Sequence, residues 1–355
     1  TYTVTIGFPA SAQENQVAST QKAGGEYQIL LQEGIRSNSL GRHAIAEKAF
    51  RDALNKCEAS ADGKSADCGD AAMRLALELS NQDRFEEADL HFTRLNKTVR
   101  QSKSSLELPM YLTYRAMDLA NRKEFEPAMR LITDANQKRK ALLKIAFQNA
   151  RTAEPEAKAL LDRTMIDLAH GLYVQASISF RLGRIPEARV TTHLVRALIT
   201  KVKNIPDWWI AFADALLADI ELREGNVEAA EKRLRLALKS KQVALGNTRA
   251  VALSYMALGA VFHEARRDRE AVDTSRPGLS ILRGELRQAP GISIERLEPF
   301  LEATYAVAQK NSERRAKLHG EMFAAAQLAR TSQTARSVAQ MAARFATGRP
   351  EIAKL

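Results

Sequence analysis

A short pattern of apolar residues returns six times along the chain at a nearly constant interval. In each copy an alanine is followed four residues later by a larger residue, and three residues after that by another small or apolar residue. The six alanines are Ala46, Ala88, Ala128, Ala188, Ala230 and Ala271, which gives spacings of 42, 40, 60, 42 and 41 residues. Steps of four and three residues place the three side chains on one face of a helix.

A second small residue stands twelve positions before each of these alanines. These residues are Gly34, Ala76, Ala116, Ala176, Ala218 and Gly259. A small residue on each of two consecutive helices allows the helices to pack closely, so the pattern predicts a helical hairpin in every repeat. Repeats of about 40 residues are typical of solenoids, in which each repeat contacts only its neighbours.

This arrangement resembles the tetratricopeptide repeat, and residues 255–259, which read YMALG, are the clearest match to the core of its first helix. The usual repeat has about 34 residues, so the longer period here implies helices about one turn longer. The resemblance covers residues 27–330 and implies an all-α fold, a right-handed solenoid of six or seven antiparallel helical hairpins. The 60-residue interval leaves about 18 extra residues at 141–162, which we expect to form an extended second helix and a turn near Pro155.

The chain contains none of the motifs that identify a catalytic or nucleotide-binding site. Its six histidines are scattered, and HExxH, G-x-S-x-G, Walker and G-x-G-x-x-G sequences are all missing. The sequence therefore predicts a binding scaffold rather than an enzyme, with no cofactor and no bound metal. No apolar run reaches the ~20 residues that cross a bilayer.

The concave groove of a solenoid is lined by the first helices of its repeats, and a peptide can lie in it. The repeat alignment places four apolar or neutral residues in this groove, namely Met73, Leu77, Thr113 and Met117. It also places there the six residues that we predict to contact a peptide: Asn81, Asn121, Tyr173, Arg181, Phe212 and Arg223. Asparagines could bond a peptide backbone and arginines could hold carboxylates. Polar residues that end a helix before a turn explain the asparagines and arginines equally well.

The N-terminus resembles the end of a secretory signal. Residues 5–12 read TIGFPASA, and Ala10 and Ala12 fit the A-x-A rule for cleavage before Gln13. We therefore expect residues 1–12 to be a signal remnant, residues 13–26 to be an N-terminal extension, and the protein to be periplasmic or secreted. An ordinary disordered terminus is the alternative for residues 1–12.

Two cysteines, Cys57 and Cys68, flank a loop of small and polar residues between the first two repeats. A pair so close in sequence is well placed to form a disulfide in an oxidising compartment. Two free thiols in a cytosolic protein are the alternative. Metal binding is disfavoured because no histidine lies near and two ligands do not make a site.

The formal net charge is +11, and the excess is unevenly distributed. Residues 322–350 contain no acidic residue, and Lys138, Arg139, Lys140 and Lys144 form a second basic cluster. Such charge favours an acidic polypeptide or an anionic membrane surface as a partner, or is simply a solvated helix face. Nucleic acid is disfavoured because the basic residues are not interleaved with stacking aromatics.

The C-terminal segment, residues 331–355, is predicted to form an amphipathic helix and a linker. Val338, Met341 and Phe345 follow helical spacing, and Gly348 and Pro350 then end the helix. The amino-acid sequence of residues 326–355 resembles the linker that joins tetratricopeptide arrays to the caspase-like CHAT peptidase domain in bacterial proteins. The matching stretches are 326–327, 329–330, 334–335, 339–344, 348, 350–351 and 355.

This second resemblance implies that the chain is the regulatory region of a CHAT-type peptidase, whose catalytic residues would follow Leu355 in the same polypeptide. The sequence leaves two other functions open. The chain is either an envelope adaptor without linked proteolysis or, less favoured, an enzyme in its own right.

Overall fold

The computed structural model describes residues 25–59, 68–101, 105–152, 154–203, 205–285 and 291–329, and within these ranges the chain forms fourteen α-helices. A single parallel bridge between Ile292 and Ala329 is the strand-type pairing found there. The helices are α1 Gly25–Ser39, α2 His43–Ala59, α3 Cys68–Asn81, α4 Phe85–Gln101, α5 Glu107–Asn121, α6 Phe125–Asn149, α7 Pro155–Arg181, α8 Ile185–Ile199, α9 Asp207–Arg223, α10 Val227–Leu245, α11 Arg249–Glu264, α12 Asp268–Glu285, α13 Ile294–Gln309 and α14 Arg315–Ala326.

The helices pair into seven hairpins, each made of an odd-numbered first helix and an even-numbered second helix. Each helix packs on the next one along the chain, and first helices also pack on each other, as α3 does on α5 and α11 does on α13. The fold is thus the predicted all-α solenoid of helical hairpins. None of the helices in the described ranges is long and apolar enough to cross a membrane.

The small residues of the repeat lie where the two helices of a hairpin meet. The ten alanines of the pattern are all fully buried: Ala46, Ala76, Ala88, Ala116, Ala128, Ala176, Ala188, Ala218, Ala230 and Ala271. At Gly259, an added Cβ would lie 2.1 Å from the Ser275 Oγ of the facing helix. The absence of side-chain bulk therefore sets the distance between the helices.

The same type of turn joins the two helices in each of the first six hairpins. A residue with positive φ follows each of these first helices. The backbone N–H two positions after the helix C-cap donates a hydrogen bond to the carbonyl oxygen five residues earlier, as Arg84 N does to Leu79 O at 2.9 Å. The positive-φ residues are Gly41, Asp83, Lys123, Gly183, Gly225 and Arg266. They stand five positions before the six repeated alanines, so the turn and the alanine share one period. Three of the six are not glycine, which hides this turn from a search for glycine alone.

The 60-residue interval is accommodated by two longer helices, α6 at the end of the third hairpin and α7 at the start of the fourth. Helix α6 has 25 residues and α7 has 27, whereas α4 has 17 and α8 has 15. A short 3₁₀ turn at Ala150–Thr152 separates them, and α7 begins at Pro155. The expected extension of the second helix and the turn near Pro155 are both present, and the first helix that follows is extended as well.

The predicted disulfide is present between Cys57 at the end of α2 and Cys68 at the start of α3, with a Cα–Cα distance of 5.6 Å. It joins the first hairpin to the second. Residues 60–67 of the loop that it closes, residues 1–24 and residues 330–355 lie outside the described ranges. The signal remnant, most of the N-terminal extension and the C-terminal amphipathic helix therefore stay predictions.

The solenoid curves enough for its first hairpin to contact its sixth. A Cβ added at Gly41, in the turn between α1 and α2, would lie 2.8 Å from Arg249 Cδ in α11. Gly41 has φ +75°, so both its conformation and its surroundings favour glycine. Parts of the chain far apart in sequence therefore meet across the face formed by the first helices.

The packing predicts a large effect of side-chain volume at Ala218, which is fully buried between α9 and α10. We expect Ala218→Leu to lower the free energy of unfolding by ~1–3 kcal/mol, because the added methylenes have no space between the helices. Urea denaturation followed by circular dichroism measures this effect. The matched change Ala229→Leu, at an exposed position of α10, should shift stability by less than ~0.5 kcal/mol. Equal effects of the two changes would contradict the repeat alignment.

Candidate binding cavity on the concave face

A cavity of about 150 Å³ opens on the face formed by the first helices. Its walls come from α7, α9, α11 and α13, and side chains of α10 together with the end of α1 and the turn that follows it complete the lining. Three of the predicted groove residues, Tyr173, Arg181 and Phe212, line it together. The curvature of the solenoid thus converts part of an open groove into a partly enclosed site.

The apolar part of the wall is built from aromatic and aliphatic side chains. Tyr173 and Phe180 of α7, Phe212 of α9 and Leu253 of α11 all line the cavity. Burial raises the pKa of the Tyr173 hydroxyl above its ordinary value, and the nearby Asp219 carboxylate raises it further. Tyr173 therefore stays protonated and can donate a hydrogen bond at any physiological pH.

The polar part of the wall is strongly cationic. Among the described lining residues, four carry a positive charge, Arg181, Lys241, Arg249 and Arg296, and one carries a negative charge, Asp219. Positive charges concentrated in a concave, partly desolvated site attract anions more strongly than the same charges on an open surface. The cavity therefore has the electrostatic character of an anion-binding site.

Lys241 is buried and makes two contacts that hold its side chain in place. Its side chain is buried in α10, its Nζ donates to Ser254 Oγ at 3.2 Å, and the same Nζ lies 4.3 Å from the centre of the Phe212 ring. Burial lowers the pKa of Lys241 to about 8, although the Asp219 carboxylate acts in the opposite direction. The lysine is charged at neutral pH and begins to lose its proton in mildly alkaline solution.

Asp219 lies in α9, within the cluster of cations. Burial raises the pKa of its carboxyl to about 6, while the positive charges of Arg296 and Arg181 act to lower it. The carboxyl therefore changes its charge just below neutral pH. Protonation of Asp219 removes the negative charge from the cavity and increases its net positive charge.

Arg249 links the cavity to both ends of the solenoid. Its aliphatic part lies against Gly41 of the first hairpin, and its Nη2 donates to the carbonyl oxygen of Gly291 at 3.1 Å, just before α13. The side chain is 8% exposed. Arg249 therefore contributes positive charge to the wall while it holds the first hairpin near α11.

The two predicted asparagines lie elsewhere and contact each other. Asn121 Nδ2 donates to Asn81 Oδ1 and to Ser80 Oγ, both at 3.1 Å, and Asn81 is only 3% exposed. Equivalent positions of neighbouring repeats thus meet, as the alignment implies, but they bond one another. Four further groove positions, Met73, Leu77, Thr113 and Met117, are buried. The prediction that they line an open groove is therefore wrong, because α3, α5 and α7 pack too closely to expose them.

Arg223 lies beside the cavity rather than in its wall. Its guanidinium carbon is 5.5 Å from the centre of the Phe180 ring, and Phe180 lines the cavity. Arg181 and Arg223 occupy equivalent positions of neighbouring repeats. Of the two, only Arg181 lines the cavity.

Sequence reasoning missed Asp219, Lys241, Arg249 and Arg296. One of them, Asp219, could have been found from the repeat. Asp219 directly follows Ala218, Ser177 directly follows Ala176 at the equivalent position, and both residues line the cavity. No comparable signal marks the three cations. No group of three or more histidine, cysteine, aspartate or glutamate side chains that could hold a metal occurs in the described part of the chain.

No family model matches the chain, and no curated protein matches it. The structure is similar to the crystal structure of a Rap protein complexed with competence and sporulation factor, with 13% sequence identity and a TM-score of 0.35 over 91% of this chain and 99% of that chain. Similarity at this level carries no argument about function. The chain is an all-α solenoid of helical hairpins with a cationic cavity on the face of its first helices.

Proposed function

We propose that the chain is a binding scaffold that holds an acidic segment of a partner peptide or protein in the cavity. The observation that carries this proposal is the combination of Arg181, Lys241, Arg249 and Arg296 with a single carboxylate in one partly enclosed space. Arginine side chains bind carboxylates with paired hydrogen bonds. The aromatic residues beside them provide an apolar wall for the aliphatic part of the bound side chain.

The size of the cavity favours a peptide anchored by one side chain. A space of about 150 Å³ takes one group the size of a benzene ring, whereas sites that enclose a whole small molecule have about 300–1,000 Å³. An Asp or Glu side chain, or a C-terminal carboxylate, fits this space. The remainder of the peptide would lie along the first helices outside the cavity.

Selection of peptides from a pool of random octapeptides on the immobilised protein tests the proposal. We expect the bound fraction to be enriched in Asp and Glu, and the best peptide to bind about tenfold more weakly to the Arg181→Gln variant, since a buried charged hydrogen bond is lost. Arg130→Gln, which changes an exposed arginine of α6, is the matched control and should bind normally. Enrichment of neutral or basic peptides would contradict the proposal.

The two shifted pKa values predict how the affinity depends on pH. As pH rises through about 6, Asp219 gains a negative charge, and as it rises through about 8, Lys241 loses its positive charge. Both steps reduce the positive charge of the cavity, so the affinity for a peptide that is already ionised should fall steadily between about pH 5 and 9. Fluorescence titrations across this range measure the effect. Asp219→Asn should remove the lower step and retain the upper one, and an unchanged profile in that variant would contradict the assignment.

We also propose that the protein functions in an oxidising compartment, either the periplasm or outside the cell. The Cys57–Cys68 disulfide supports this proposal, because such bonds persist where thiols are not kept reduced. Thiol titration of the unfolded, unreduced protein isolated from its native source is the test. Two reactive thiols would contradict both the bond and the export.

A link to a CHAT-type peptidase domain is a narrower proposal, supported by the resemblance of residues 326–355 to the linker that precedes such domains. In this version the acidic segment bound in the cavity regulates proteolysis by a domain in the same polypeptide. Reading the gene beyond Leu355 tests the link directly. If no such domain is encoded, the envelope adaptor without linked proteolysis is the remaining form of the scaffold.

A further inference from the structure

Helices α6 and α7, which end the third hairpin and begin the fourth, are longer than the helices on either side of them. Helix α6 has eight more residues than α4, which corresponds to about 12 Å, or two turns, of additional helix. In a solenoid the helices of one repeat cover the apolar face of the next. The additional turns of α6 and α7 lack this cover, and Phe147 is accordingly 58% exposed.

The additional turns of the two helices form a cleft with two apolar stripes. Leu143 and Phe147 lie one helical turn apart on α6, and Leu161 and Met165 lie one turn apart on α7. Leu198, near the end of α8, also lines the cleft. Two parallel stripes with i, i+4 spacing provide the type of groove into which the apolar face of an amphipathic helix packs.

Positive charges border this cleft on two sides. Lys140 and Lys144 lie on α6, Arg151 lies in the 3₁₀ turn that follows it, and Lys201 lies beyond the end of α8. Of the described residues that line the cleft, none carries a carboxylate. None of the four cations has an ion pair in the described part of the chain. The charges are therefore available for a bound partner.

We propose that this cleft, which we name the α6–α7 cleft, binds an acidic amphipathic helix of a partner protein. The apolar side chains of that helix occupy the two stripes and take the place of the missing repeat neighbour. Its flanking carboxylates pair with the cations on both walls. The chain's own C-terminal segment does not suit the cleft, because residues 322–350 carry arginines and no acidic residue. A flat membrane surface does not suit it either, since the apolar stripes form a concave surface.

The site is separate from the cationic cavity. The cleft is lined by α6, the first half of α7 and the end of α8, whereas the cavity is lined by the second half of α7 and by α9, α11 and α13, and the two sites share no lining residue. The two proposals can therefore fail independently.

The test uses a fluorescein-labelled, 18-residue helical peptide with leucines at i, i+3, i+4 and i+7 spacing and glutamates on both flanks. Fluorescence anisotropy with the full chain should show binding at least about tenfold tighter than that of a scrambled peptide of the same composition. Lys144→Glu combined with Lys201→Glu should weaken binding about tenfold, because each change replaces attraction by repulsion. Phe147→Ser should weaken it to a similar extent.

The control variants separate this site from general charge effects. Lys232→Glu combined with Lys239→Glu makes the same change of charge at exposed positions of α10, and Arg181→Gln alters the cavity; both variants should bind the helical peptide normally. Equal binding of the scrambled peptide, or equal losses in the two lysine variants, would overturn the proposal. Binding to vesicles of anionic lipid without binding to the peptide would overturn it in favour of a membrane surface.

Discussion

Replacing Glu78 by alanine is expected to lower the free energy of unfolding by about 3 kcal/mol. Glu78 and His43 are each 1% exposed, and His43 Nδ1 lies 2.8 Å from Glu78 Oε2. The other carboxylate oxygen accepts a hydrogen bond from Asn38 Nδ2. Alanine at this position would leave two polar side chains without their partner in the interface between the first and second hairpins. The cost of burying them unpaired then adds to the loss of the bonds.

Chemical denaturation of the full chain measures this loss. Glu86→Ala removes an exposed glutamate from the neighbouring helix α4 and should change the free energy by less than ~0.5 kcal/mol. Glu78→Gln, which retains one acceptor oxygen, should lie between the two. A loss below ~1 kcal/mol in Glu78→Ala would show that the hairpin interface does not depend on this network. Because Asn38 also lines the cationic cavity, the same variant should weaken binding of an acidic peptide.

Replacing both Cys57 and Cys68 by alanine is expected to destabilise the protein by about 3 kcal/mol. The disulfide spans 11 positions, and closing a loop of this length restricts the unfolded chain by roughly this free energy in the chain-entropy model. The bond also fixes the end of α2 to the start of α3. Thermal and urea denaturation under oxidising conditions give the difference.

Reduction provides the matched control for the disulfide. Dithiothreitol should lower the stability of the native sequence by about the same amount, and it should have no effect on the double alanine variant. If reduction leaves the stability of the native sequence unchanged, the bond does not contribute to the free energy of unfolding. A large additional loss in the alanine variant would instead measure the packing of Cys57, which is 7% exposed.

The repeat could be predicted from the sequence because its cause is local. Two helices approach closely only where both present a small residue, so Ala76 and Ala88 mark one hairpin and Ala218 and Ala230 mark another. The period is kept by a turn that always stands five residues before the alanine. The disulfide follows from the same logic, since the two cysteines flank one short connection.

The sequence predicted only some of the residues that line the cavity, because helical register is local whereas the packing between repeats is not. The alignment assigned Tyr173, Arg181 and Phe212 to one face, because that depends on helical register alone. Which of the predicted residues stay accessible depends on how closely neighbouring repeats pack, and this packing buries Asn81 against Asn121.

The sequence by itself determined the solenoid, its hairpins and the disulfide, because each of these depends on residues within about 40 positions of one another. Only the tertiary structure decided which charges share the cavity. Lys241, Arg249 and Arg296 lie on three different helices, and they meet Arg181 and the turn at Gly41 through the curvature of the whole array. That curvature is the sum of small rotations between successive repeats, and no single repeat in the sequence specifies it.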